Sequence, residues 1–161
     1  MTSLNAHKMT KEEALNRVAA LCARSEKCAA DIRRKLEKLK LEKTTIDEII
    51  HYLTEQKFID EERYARAFAN DKMRFNKWGK NKIRFSLRQK NINKTRIDEA
   101  IANIAPKEYE EIMKNELAKK NKLIKEKEIY KRKQKLLQFA ASRGIEEHLA
   151  YELIDLIVQK N

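Results

Sequence analysis

Glycine and proline are scarce: two glycines and one proline stand in 161 residues. Hairpin turns and phosphate-cradling loops depend on glycine. A β-sandwich, a dinucleotide-binding domain and a P-loop enzyme are therefore not expected. The two cysteines, Cys22 and Cys28, are too few for a disulfide framework and lack zinc-ligand spacing. They read as small buried or half-buried residues of a reducing compartment. No run of apolar residues is long enough to cross a membrane. Residues 1–9 hold no apolar run either, so no secretory leader is expected there, only a flexible tail. These absences together point to a cytoplasmic protein.

Charge and regular apolar spacing are plentiful. Charged residues make up 39% of the chain and hydrophobic ones 42%. With so little punctuation, this composition fits an all-α protein. The net charge is +12. Its distribution is uneven: residues 72–97 hold ten lysines and arginines and no acidic residue. A solvated helical surface ordinarily mixes both signs. A stretch of one sign points to a polyanionic partner, most often nucleic acid. An acidic protein surface is the competing partner.

The chain repeats itself about every 50 residues. Ile32, Leu36, Leu41, Ile46, Ile50 and Leu53 recur 51 residues on as Ile83, Leu87, Ile92, Ile97, Ile101 and Ile104. A further 53 residues on, the set becomes Leu136, Ala140, Ile145, Ala150, Ile154 and Ile157. Steps of 3 and 4 are helical, and the steps of 5 mark a turn between two helices. Lys40, Asn91 and Gly144 hold the same place in that turn. Asn and Gly readily take the left-handed conformation that ends a helix. Lys40 fits less well, so the first turn is expected to differ. Thr44, Thr45 and Thr95, each with an acidic residue three positions on, read as helix caps.

A third helix precedes each pair. Thr10 with Glu13 forms a capping box, and Asp60 caps a second helix on which Tyr64, Phe68 and Phe75 face inward. Pro106 suits the first helical position of a third. The expected fold is an elongated, modular array of three tandem three-helix repeats: 10–58, 59–105 and 106–161. The third unit carries extra residues within the basic stretch Lys119 to Lys135, as loop or as longer helix.

Catalytic patterns are lacking. His7, His51 and His148 have no ligand-spaced partners, and no nucleophile, zinc-protease or Walker motif occurs. The acidic pairs lie near expected helix starts, where they offset the dipole. No enzyme activity, metal or cofactor is expected.

Two stretches resemble a known family. The segment from Phe58 to Phe68, FIDEERYARAF, and the segment from Trp78 to Ile92, WGKNKIRFSLRQKNI, resemble the RecX family of regulators of the RecA recombinase. The stretch SEKCAADIRRKLEKL resembles that family's first repeat and LLQFAASRGI its third. Asn91 stands where many members have glycine, and Lys80 where many have proline. The resemblance implies binding to RecA filaments on single-stranded DNA. It also implies inhibition of their ATPase, strand exchange and coprotease activities, and hence a place in DNA repair, homologous recombination and the SOS response.

The candidate contacts with DNA phosphates or an acidic recombinase surface are Arg74, Lys77, Lys80, Lys82, Arg84, Arg88 and Lys90. Lys131, Arg132 and Lys133 form a second group. Phe75, Trp78 and Phe85 lie among the first group; core filling is their expected role and base stacking the alternative. A different class of function is a helical regulator acting directly on duplex DNA, which normally requires a symmetric dimer. A plain helical scaffold for an acidic protein is the third. The repeat array needs no partner to close, so a monomer is expected, with single-stranded DNA preferred over duplex.

Overall fold

The computed structural model describes residues 7–159, and within them the chain is helical, without strands. Nine helices follow one another in the described residues: α1 (Lys11–Arg24), α2 (Ala29–Glu37), α3 (Lys43–Glu55), α4 (Glu61–Asn76), α5 (Lys80–Gln89), α6 (Lys94–Ala102), α7 (Pro106–Leu123), α8 (Ile129–Ser142) and α9 (Glu147–Gln159). Residues 1–6 of the expected flexible tail lie outside the described residues. The chain divides into two compact units, one ending at Tyr64 and one beginning at Ala65, so the boundary falls within α4.

The repeated apolar positions are the core. Seventeen of those eighteen side chains are buried, and Leu41 is half-buried. Burial of each large aliphatic side chain stabilises by about 1.5–3 kcal/mol. In the first unit, Ala14 and Val18 of α1 meet Ile32 and Leu36 of α2 and Ile46, Ile49, Ile50 and Leu53 of α3. In the second unit α5 packs on α6, and α7, α8 and α9 pack on one another.

The ends of the helices follow local chemistry. Thr10 and Glu13 exchange side-chain and backbone hydrogen bonds at 3.2 and 2.9 Å, completing the capping box. The Asp60 carboxylate accepts from the Arg63 amide at 3.0 Å, and that bond holds its pKa below the usual range. Pro106 is the first residue of α7. The expected threonine caps are displaced. Helix α6 starts at Lys94, and Asn93 caps it by accepting from Arg96 N at 2.9 Å. Asn is at least as good a cap as Thr, and Thr95 falls inside the helix. Helix α3 likewise starts at Lys43, with Thr44 and Thr45 inside its first turn.

The three repeated turns, after α2, α5 and α8, all hold a left-handed residue, including the first. Lys40, Asn91 and Gly144 have φ of 57°, 60° and 76°. After α5, Ile92 N donates to Leu87 O and Asn91 N to Arg88 O; after α8, Ile145 N donates to Ala140 O and Gly144 N to Ala141 O. This is the Schellman pattern, which places an apolar residue just past the turn. Leu41, Ile92 and Ile145 stand at that place. The first turn shares the left-handed residue and the bond from Lys40 N to Glu37 O, but among the described bonds it lacks the wider one to Leu36 O, so it differs in part, as expected.

The extra residues of the third unit are divided. Part lengthens helix, α8 having 14 residues against 10 in α5, and residues 124–128 are non-helical.

Candidate nucleic-acid interface

The basic stretch 72–97 runs from the last turns of α4, through α5, into the first turn of α6. Its anchor is a contact between the two glycines of the chain. Gly79 N donates to Arg143 O at 2.6 Å, and Asn81 N to Gly144 O at 2.9 Å. A methyl group on Gly79 would lie 2.3 Å from Gly144 O, and one on Gly144 would lie 2.3 Å from Lys82 Cβ. Neither position admits a side chain. The start of α5 is thus seated directly on the turn between α8 and α9.

Tyr109 of α7 completes the seat. Its hydroxyl accepts from Lys80 N at 2.9 Å and donates to Glu146 at 2.5 Å. Burial, with the Glu146 hydrogen bond second, pushes the phenol pKa far above its ordinary value. Tyr64 is the fourth residue of α4, as Tyr109 is of α7, and its hydroxyl lies 3.4 Å from Asp31 in the first turn of α2. Nothing in composition or charge pointed to this arrangement; the pairing of the only two glycines was the available signal.

Trp78, just before Gly79, is half-buried, as expected of a core-filling residue. It meets Phe68 edge to face at 6.3 Å, and the ammonium groups of Lys82 and Lys72 lie 4.7 and 5.0 Å from its ring centre. Lys80 lies 4.7 Å from the Tyr109 ring centre. Phe75 and Phe85 depart from the expected core role: they are 78% and 57% exposed. Phe75 is in the last turn of α4, and Phe85 is on the α5 face opposite buried Ile83 and Leu87.

Several candidate cations already have partners within this unit. Arg74 makes a two-pronged ion pair with Glu108, at 2.7 and 3.1 Å, which lowers the Glu108 pKa. Arg84 pairs with Asp98, which Lys94 also reaches at 2.9 Å; both hold that carboxyl below its usual range. Arg33 and Asp47, 51 residues earlier, make the same pair at 2.7 Å. The acidic partners lie just beyond 72–97, so a count within the stretch overlooked them. Lys77 has φ of 59° and donates to Arg74 O at 2.5 Å, closing the end of α4. Lys90 is half-buried at the end of α5. Arg88 is exposed and makes no ion pair among the described residues.

The second group is also engaged. Lys131 lies 3.3 Å from Glu128, and Lys133 lies 3.0 Å from Asp155. Arg132 fastens the non-helical segment, donating to Asn121 O, Asn121 Oδ1 and Ile124 O at 2.8–3.0 Å. Among the described residues, no three metal-ligating side chains converge, and no helix is long and apolar enough to cross a membrane.

Residues 60–101 match the family described as RecX, second three-helix domain. The chain is similar to a regulatory protein RecX of Chlorobium phaeobacteroides (strain BS1), 31% identical over 146 residues, covering 91% of this chain and 94% of that protein. A regulatory protein RecX of Clostridium botulinum (strain Eklund 17B / Type B) is 35% identical over 144 residues, 82% of this chain and 66% of that one. One from Leuconostoc mesenteroides is 25% identical over 130 residues; they cover 81% of this chain but only 49% of that longer protein. A crystal structure of a regulatory protein RecX superposes with TM-score 0.80 at 25% identity, covering 90% of this chain and 72% of that one. RecX from Lactobacillus salivarius has TM-score 0.70 at 20% identity, covering 93% and 95%, a likeness of fold alone.

Proposed function

The chain belongs to the RecX family, and from that premise we propose that it binds RecA filaments on single-stranded DNA and modulates them, mainly by inhibition. The observation that carries this reading is the similarity to the Chlorobium regulatory protein along nearly the full length of both chains. The basic stretch over α4–α6 supports it, since a filament on DNA is a polyanion with protein walls. The affected activities are DNA-dependent ATP hydrolysis, strand exchange and coprotease action. These place the protein in DNA repair, recombination and the SOS response, in the cytoplasm.

The protein acts by binding, without catalytic chemistry or cofactor of its own. A ligand moves an equilibrium only by its difference in affinity for the two states. It must therefore hold a blocked or short filament more tightly than a growing one. Three units, 10–58, 59–105 and 106–161, act within one monomer; the order of nine helices in the described residues and the domain match at 60–101 support that division. The contacts are drawn from Arg74, Lys77, Lys80, Lys82, Arg84, Arg88 and Lys90, with Lys131, Arg132 and Lys133 as a second group.

Single-stranded-DNA-dependent ATP hydrolysis by RecA, with this protein titrated below one per subunit, tests the reading. Strong inhibition is expected. No effect on confirmed filaments would overturn it.

A further inference from the structure

We infer that Phe85 is a stacking platform for a base of single-stranded nucleic acid, and that Arg88 neutralises a phosphate beside it. This rests on the reading that the protein acts at single-stranded DNA, and names the chemistry of contact. Phe85 keeps 57% of its surface in water, although neighbouring Ile83 and Leu87 are fully buried. The repeat supplies an internal control. The positions equivalent to Phe85 hold Arg34 and Gln138, both exposed, and those equivalent to Arg88 hold Glu37 and Ala141. The helix pair folds with a polar side chain at the first place and no cation at the second. The aromatic–cation couple belongs to the second repeat alone, inside the stretch without acidic residues.

The face is clean. Asn81, Phe85, Arg88 and Gln89 follow at helical spacing and are all exposed. Helix α5 carries no carboxylate. Lys82 and Arg84, on its flanks, are held by Trp78 and Asp98. Arg88 has no ion-pair partner among the described residues, so its charge is available to an incoming anion. The helix itself is fixed at its start by the Gly79–Gly144 contact. A rigid helix presenting a flat ring beside a guanidinium suits a base with its phosphate. Every base has a π-face, and only a single strand leaves it open. In a duplex both faces are occupied by neighbouring bases.

Fluorescence anisotropy with an oligothymidylate, and with the same strand made abasic, tests this without recombinase. Wild type, F85A, F85Y and R88Q are compared, with helical content checked by circular dichroism. F85A is expected to weaken binding to oligothymidylate by about tenfold or more and to leave the abasic strand unchanged. F85Y restores affinity. R88Q weakens binding to both strands and reduces the salt slope by about 0.7. Wild-type affinity in F85A, or an equal loss on both strands, overturns the inference. A phenotype of F85A in recombinase inhibition alone also overturns it, and assigns the face to a protein partner. Absence of strand binding in the wild type sinks this inference without touching the ATPase result, and the converse holds for a failed ATPase assay.

Discussion

The hydroxyl of Tyr109 joins three elements, since it takes a hydrogen bond from the first residue of α5 and gives one to Glu146 beside α9. Removing one member of a buried polar set costs about 1–3 kcal/mol, because its partners lose their bonds out of reach of water. Tyr109→Phe is expected to lower stability by that amount at neutral pH, measured by chemical denaturation. The pH dependence has a definite sign. The folded phenol has its pKa raised above the ordinary tyrosine value of about 10. Below that pH both states are neutral and the contribution is complete. As pH rises further the unfolded chain ionises while the folded one does not, so stability falls. The variant should lose less stability than wild type between about pH 9 and 11. Tyr64, also buried and raised, keeps the slope from vanishing in the variant. An identical alkaline fall in both proteins would show that Tyr109 ionises freely in the fold.

The helices are the most legible elements, because steps of 3, 4 and 5 between apolar residues record both the helical stripe and the turn. The turn was legible only where Asn91 and Gly144 advertise it. Lys40 conceals the same left-handed geometry under a residue that pays for it in steric strain. Lys40→Gly should therefore raise the stability of the first unit by about 1 kcal/mol, seen as a higher denaturation midpoint. A drop would mean that the gain in unfolded-state freedom outweighs the relieved strain. Caps are less legible, since Asn93 and Thr95 lie two residues apart and both suit the role. The exposure of Phe85 was within reach, since it stands two residues from both Ile83 and Leu87 and so on the other face of α5; that of Phe75 was not, because it shares the helical phase of Tyr64 and Phe68. Arg74 and Glu108 were not joined either, because α5 and α6 intervene in the chain and only packing brings them together. The Arg84–Asp98 pair was within reach, as its spacing of 14 recurs in Arg33–Asp47.

At the scale of the whole molecule, a net charge of +12 dominates any encounter with a polyanion. Affinity for single-stranded DNA should fall with salt, with a slope of log affinity against log concentration of about −0.7 per phosphate neutralised. Because Arg74, Arg84, Lys131 and Lys133 are already paired with carboxylates, the slope should count fewer phosphates than the ten candidate cations. Binding unchanged between low and moderate salt would refute an electrostatic interface. The seat of α5 also has an order in time. Its hydrogen bonds to residues 143 and 144, like that from Arg143 to Asn76 across 67 residues, join distant parts of the chain. As the chain is synthesised, Gly79 leaves the ribosome long before its partner glycine exists. The unit ending at Tyr64 has its core complete by then, and can fold as domains do, amino-terminal first. The start of the basic helix reaches its final seat only once the turn between α8 and α9 has been made. A transcript truncated before codon 144 would therefore yield a folded first unit and a basic helix that keeps Tyr109 but lacks the glycine turn on which its start rests.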